Sequence, residues 1–201
     1  MKNAEIKCII FDVGGVLFAD RIEPVYDSIN RKIGMKLFVR TSRPHRNALL
    51  GRINEEEKYR MLSEKSGIPA KDLKNILTKE YVRILSINKD VIRLRDRLKK
   101  RGYTTGILSN MTGRSRRINA QRKVFAGFNP VVLSCNVKAI KPHAKIYKIF
   151  LKRSRFAPQA CVFIDDREKN IMAARKIGMK TILFRNAVQL ERDLKRIGVE
   201  L

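Results

Sequence analysis

Residues Cys8–Asp20 read CIIFDVGGVLFAD. Four apolar residues, Cys8 to Phe11, lead into one carboxylate, Asp12. A glycine pair, Gly14 and Gly15, follows before a second apolar run. A short stretch that is apolar throughout is the pattern of a strand buried on both faces of a parallel sheet, and the strand expected here is Lys7–Phe11. The glycines let the backbone turn sharply beside Asp12 and approach a ligand closely. The spacing matches neither GxGxxG nor GxxxxGK[ST], so neither a dinucleotide fingerprint nor a P-loop is present.

Working outward, the same strand signature returns at Tyr103–Leu108, Val131–Ser134, Cys161–Ile164 and Thr181–Phe184. Helical periodicity fills the gaps at Asp90–Lys100, Ile146–Lys152, Glu168–Ile177 and Val188–Ile197. The last two are closed by Gly178 and Gly198, natural helix stops. Alternating strands and helices predict an α/β fold with a doubly wound parallel sheet. One interval breaks the rhythm. Between Leu17 and Asp90 no strand is expected, and helical patterns lie at Pro24–Ile33, Glu55–Ser66 and Lys71–Leu85, with a turn over Lys65–Pro69. The reading is an α/β core of residues 1–17 and 88–201, with a helical cap, 18–87, inserted after the first strand. Ligands of open α/β sheets bind at the carboxyl ends of the strands, so an insertion leaving from that end lies over the site as a lid.

The chain has 201 residues, 44% of them hydrophobic, enough for a packed core rather than wholesale disorder. It carries 45 Lys and Arg against 19 Asp and Glu, a net charge of +26. That excess attracts polyanions and phosphorylated molecules, although the charges are dispersed as on a solvated surface. Cys8, Cys135 and Cys161 form no CxxC pair and read as free thiols of a reducing compartment. Two histidines without metal-type spacing argue against structural zinc. No apolar run has the length of a membrane span and MKNAEIKC is no signal peptide, so a cytoplasmic protein without a membrane partner is expected.

Three further strand ends carry chemistry. The second strand closes on Ser109 and Asn110, a hydroxyl and backbone N–H groups able to hold an anion. Lys141 precedes Pro142 in VKAIKPHAKIY, so the proline holds a cation near a helix start. The fourth strand closes on Asp165 and Asp166 in CVFIDDREKN; two adjacent carboxylates after an apolar strand need a positive partner, which Mg²⁺ or a lysine supplies. A parallel sheet brings all these ends to one edge. A carboxylate, a hydroxyl, a cation and a metal-binding acid pair suit transfer of a phosphoryl group onto Asp12.

FDVGGVL, ILSN, KPHAKIY and VFIDDREKN, in this order, resemble the four motifs of the haloacid dehalogenase (HAD) superfamily. IMAARKIGMKTILF, QLERDLKRIGV and the insertion's GRINEEEKYRML are similar to members with a small helical cap. The resemblance implies a Rossmann-like core and a Mg²⁺-dependent phosphatase acting on a small phosphorylated metabolite through an aspartyl-phosphate. It implies Asp12 as nucleophile and Mg²⁺ ligand, the Gly14 carbonyl as a second ligand, and Ser109 with the Asn110 amide as holders of the phosphoryl oxygens. Lys141 would neutralise nucleophile and phosphate. Asp166 would bind Mg²⁺ directly, and Asp165 through water or to Lys141.

Two departures stand out. Most phosphatases of this family carry a second Asp where this chain has Gly14; that acid protonates the leaving alcohol and activates water. Asp20, His45 or a cap acid are the candidate substitutes. Lys138 stands where relatives usually carry glycine. The dehalogenase branch also lacks the second acid, but typically lacks the acid pair of the fourth motif too. A rival reading, a weakly active or non-catalytic relative binding an anionic partner such as RNA, draws on Arg114, Arg116, Arg117, Arg122 and Lys123, and on Lys145, Lys148, Lys152, Arg153 and Arg155. No RNP, KH or zinc-knuckle signature and no Trp accompany them, so nucleic acid is not the expected partner.

Overall fold

In the computed structural model, which describes residues 5–18, 42–83 and 86–201, the chain runs as follows. Strand β1 (Cys8–Phe11) is followed by helices α1 (Arg43–Leu49), α2 (Glu55–Ser66), α3 (Ala70–Arg83) and α4 (Lys89–Lys100). Then come β2 (Thr104–Ser109), α5 (Gly113–Gln121), β3 (Val131–Leu133), the single turn α6 (Ser134–Val137) and α7 (Ala144–Ser154). The chain ends with β4 (Cys161–Asp165), α8 (Glu168–Lys176), β5 (Lys180–Leu183) and α9 (Ala187–Arg196). The helical pattern read at 24–33 and the candidate acid Asp20 lie outside the described residues.

The five strands are parallel and ordered β3-β2-β1-β4-β5. The chain winds outward from β1 to β2 and β3, then returns to the other side of β1 for β4 and β5. The crevice between β1 and β4 is therefore the switch point where open α/β sheets bind ligands. Register aligns Phe11 with Ile107 of β2 and Ile164 of β4, and the Asp12 N–H donates to the Ile164 carbonyl at 2.9 Å. Asp12, Ser109 and Asp165 thus leave the sheet along one edge.

The apolar strands are covered on both faces, as their composition requires. Ile9 and Phe11 pack with Val91, Leu94 and Leu98 of α4 and Leu190 and Leu194 of α9. Cys8 and Ile10 point the other way, toward Ile146, Tyr147 and Phe150 of α7 and Ile171 and Ala174 of α8. Full burial of each such side chain contributes about 1.5–3 kcal/mol. Side-chain caps fix several helix starts: Asn54 accepts from Glu57 N–H at 2.8 Å, Asn88 from Val91 N–H at 3.3 Å and Asn186 from Gln189 N–H at 2.8 Å.

Three short helices, α1, α5 and α6, escape the periodicity. In α5 only Ile118 and Ala120 are apolar; its start is set by Thr112, whose hydroxyl caps Ser115 N–H at 3.3 Å. Ser134, expected to end the third strand, instead opens α6. Its buried hydroxyl donates to the Leu49 carbonyl at 2.7 Å and accepts from Met111 N–H at 2.9 Å. Phe18 and Ile87 form an isolated antiparallel bridge, and Asn88 N–H donates to the Leu17 carbonyl at 2.9 Å. The two ends of the 18–87 segment are thereby paired. α2 and α3 enclose a small core of their own around Tyr59, Leu62, Leu73 and Leu77.

Candidate active site

Asp12 follows β1 directly, and its Oδ1 accepts from Val13 N–H at 2.7 Å, so the carboxylate is folded onto the start of the next turn. That turn, Val13–Leu17, contains both glycines. Gly15 has φ +76°, and a Cβ there would stand 2.5 Å from Asp166 Oδ2. Only glycine leaves room for Asp166 to lean against this loop. Gly14 differs. Its φ is −73° and a Cβ would meet nothing within 4 Å.

Lys141 is the hub. Its Nζ lies 2.9 Å from Asp12 Oδ1 and 2.6 Å from Asp165 Oδ2, with a side chain only 1% exposed, and 5.3 Å above the Phe163 ring. The loop that presents it is clamped by Asn110: the side-chain amide donates to the Lys141 carbonyl at 3.0 Å and accepts from Lys141 N–H at 2.8 Å. Upstream, Lys138 adopts the left-handed conformation with φ +50°, which glycine reaches at less cost.

Asp165 is fully buried and saturated. Oδ1 accepts from Arg167 N–H at 2.9 Å and from the Asn170 amide at 2.9 Å; Oδ2 accepts from Lys141 and from the same amide at 3.0 Å. Asn170 is in turn tied to α7 by the Tyr147 hydroxyl, which donates to its carbonyl at 3.0 Å. Asn170 had no role assigned from sequence. The available signal was its spacing: five residues beyond Asp165, it falls in the first turn of α8 and faces back onto the strand end.

Burial pushes the Asp12 carboxyl up to about 6, with Asp165 adding to the rise, while Lys141 and a hydrogen bond from Ser109 pull it down. Burial alone would depress the Lys141 ammonium, but Asp12 and Asp165 outweigh it and hold the group above the ordinary lysine value. The result is a buried cation between two carboxylates.

Oxygens of Asp12, Asp165 and Asp166 all lie within 4.8 Å of one another. An all-carboxylate set of hard oxygens fits a small divalent cation such as Mg²⁺. Since both oxygens of Asp165 are already engaged by protein donors, Asp12 and Asp166 are the carboxylates best suited to touch a metal. His45 is buried on α1, and its neighbour Arg46 reaches within 3.5 Å of His143 Nε2, two residues beyond Lys141. α1 thus sits beside the Lys141 loop.

The insertion meets the core through a second buried polar cluster. Glu55 Oε2 lies 2.6 Å from Lys58 Nζ, with side chains 10% and 6% exposed. The Thr112 hydroxyl and the Arg114 N–H at the start of α5 also pull the Glu55 carboxyl down, and the Arg114 guanidinium bonds the Thr78 hydroxyl of α3.

A family model described as haloacid dehalogenase-like hydrolase matches residues 9–184. Rat bifunctional epoxide hydrolase 2 is 36% identical over 117 residues, 56% of this chain and 21% of that protein. The glyceraldehyde 3-phosphate phosphatase of Pyrococcus furiosus is 33% identical over 101 residues, 49% of this chain and 42% of the enzyme. The chain spans about a quarter of the length of the epoxide hydrolases it matches. Among solved structures, a HAD family enzyme of Bacteroides thetaiotaomicron in complex with magnesium superposes with a TM-score of 0.78 at 24% identity, covering 96% of this chain and all of that one.

Proposed function

This chain belongs to the haloacid dehalogenase-like hydrolases, and within that family we propose that it is a Mg²⁺-dependent phosphatase acting on a small phosphorylated molecule. The observation that carries this reading is the Lys141 ammonium clasped between Asp12 and Asp165, with Asp166 beside them. A buried carboxylate that faces a fixed cation and shares its site with a second acid suits attack on a phosphate dianion. A phosphatase among the relatives supports the same substrate class.

In the proposed reaction an Asp12 oxygen forms a bond to phosphorus as the ester P–O bond breaks, giving an aspartyl-phosphate and an alkoxide that takes up a proton. Water then attacks the same phosphorus and gives up a proton, inorganic phosphate departs and the Asp12 carboxylate is regenerated. Lys141 offsets charge on Asp12 and on the phosphoryl oxygens, and Ser109 with the Asn110 backbone amide binds those oxygens. Asp165 and Asn170 hold Lys141 in place. Asp12, Asp166 and the Gly14 carbonyl would hold Mg²⁺, which supplies further neutralisation of phosphoryl charge when bound. Gly14 brings no carboxylate to the leaving group, so substrates whose alcohol leaves unaided are favoured.

The test is hydrolysis of para-nitrophenyl phosphate and a panel of phosphorylated metabolites by the wild-type protein and by Asp12→Asn. Mg²⁺-dependent phosphate release, abolished in the variant, is expected. Folded protein without turnover on any of them overturns the proposal.

A further inference from the structure

The two faces of the sheet carry their charge differently. On one face, helices α4 and α9 carry nine Lys and Arg and four acids, Asp90, Asp96, Glu191 and Asp193, and α5 beside them adds Arg114, Arg116 and Arg117. All four are ion-paired: Asp90 with Arg93, Asp96 with Arg95 at 2.7 Å, Glu191 with Arg97 at 2.9 Å, and Asp193 with Arg192 at 3.3 Å. On the opposite face, α7 and α8 carry seven Lys and Arg and one acid, Glu168. Lys145, Lys148, Lys152, Arg155, Lys169 and Lys176 are all exposed there, and among the described residues none of them pairs with a carboxylate.

These cations are ordered, not scattered. Lys145, Lys148, Lys152 and Arg155 follow one another at intervals of three, four and three residues, which sets them along one side of α7 and its end. At about 1.5 Å per residue the row is roughly 15 Å long. The second helix is fixed against the first by the Tyr147–Asn170 hydrogen bond, so Lys148 and Lys169 each flank one half of that contact. A buried core common to α7 and α8 holds the whole face rigid.

We propose that the α7–α8 face is a docking surface for the phosphate backbone of an RNA duplex. The spacing of the α7 row, about 5–6 Å between neighbours, suits successive phosphates of a strand. The aromatic side chains of α7, Tyr147 and Phe150, are buried and α8 has none, so no stacking platform for unpaired bases is offered. Met172, 52% exposed, is the one large apolar group that α7 and α8 present, too little to enter a bilayer interface or to form the dehydrated centre of a protein interface. Two helices lying side by side on a sheet make a broad basic face, which fits recognition of A-form RNA by shape and phosphate contacts. α7 and α8 begin at the strand-end edge that carries Asp12 and Asp165 and run back across the sheet, so the row from Lys145 to Arg155 leads away from the proposed chemistry.

The experiment is fluorescence anisotropy with a labelled RNA duplex across a salt series. With four or five phosphates neutralised, log affinity should fall against log salt with a slope of about −4, roughly two orders of magnitude between about 50 and 200 mM. The triple variant Lys148→Glu, Lys152→Glu, Lys169→Glu should lose at least about tenfold. The control triple Lys89→Glu, Lys99→Glu, Lys100→Glu on the α4 face makes the same change in net charge and should bind within about twofold of wild type. Circular dichroism checks that both remain folded; a triple Lys→Gln variant at 148, 152 and 169 replaces the first if it does not. Asp12→Asn should bind like wild type, which separates this proposal from the phosphatase. Equal losses in both triples, a slope near zero, or tighter binding to a DNA duplex or to phosphatidylserine vesicles at the same salt overturns the proposal.

Discussion

A Cβ at position 14 meets no atom within 4 Å, and the backbone there already has a negative φ of −73°. Gly14→Asp should therefore fold as well as wild type and raise turnover of alkyl phosphates by about 10²-fold or more, by protonating the leaving alcohol. The gain should be much smaller for para-nitrophenyl phosphate, whose leaving group needs no acid; comparing kcat on the two substrates checks it. Position 15 behaves oppositely. Gly15→Ala would meet Asp166 Oδ2 at 2.5 Å and force a side chain into φ +76°. It should lower stability by about 1–3 kcal/mol and raise the Mg²⁺ concentration needed for half-maximal rate, read by denaturant melts and a metal titration. The sequence shows both positions as the same letter. It placed Asp12, Ser109, Asp165 and Asp166 at strand ends, because strand ends follow from apolar runs; Lys141, expected at a strand end too, instead sits on the loop between α6 and α7, eight residues past β3. It did not show that Asn110 grips the Lys141 backbone or that Asn170 saturates Asp165, since those contacts depend on how a loop and a helix turn back after the strand.

Among the elements, α2 is joined to α5 through Glu55. Burial alone would raise its carboxyl, but Lys58, the Thr112 hydroxyl and the Arg114 N–H outweigh that and hold it below the ordinary value. A carboxyl depressed in the folded state adds stability above its unfolded value of about 4.5, and that contribution is lost as pH falls through the lower folded value. Thermal melts from pH 7 downward should show wild type losing Tm below pH 4.5. Glu55→Gln should start lower at pH 7 and fall less steeply over the same range; parallel curves would contradict the assignment. The helices with strong apolar periodicity, α4, α8 and α9, fall within a residue or so of their expected bounds. The weakly patterned ones, α1, α5 and α6, depend on tertiary partners: Ser134 is drawn out of its strand by bonds to Leu49 and Met111 that lie far away in sequence.

For the molecule as a whole, +26 in 201 residues means that the native state repels itself. Salt should stabilise it: raising NaCl from about 20 to 200 mM, which shortens the screening length to below about 10 Å, should raise Tm, whereas a neutral osmolyte at equal osmolarity should not reproduce the salt dependence. A Tm that falls or stays level with salt would mean that local ion pairs outweigh the global repulsion. A parallel sheet was implicit in the alternation of strands and helices, but the order β3-β2-β1-β4-β5 was not, because which strands neighbour β1 depends on crossovers that composition does not record. The Phe18–Ile87 bridge has a consequence for how such a protein changes over time. Because the two chain ends that leave the sheet are already paired, a segment of almost any length can be exchanged between them at a closure cost that grows only with the logarithm of its length. The sheet edge that carries Asp12, Asp165 and Asp166 and the inserted segment are then separate heritable units. The segment can be replaced while the carboxylates stay where they are.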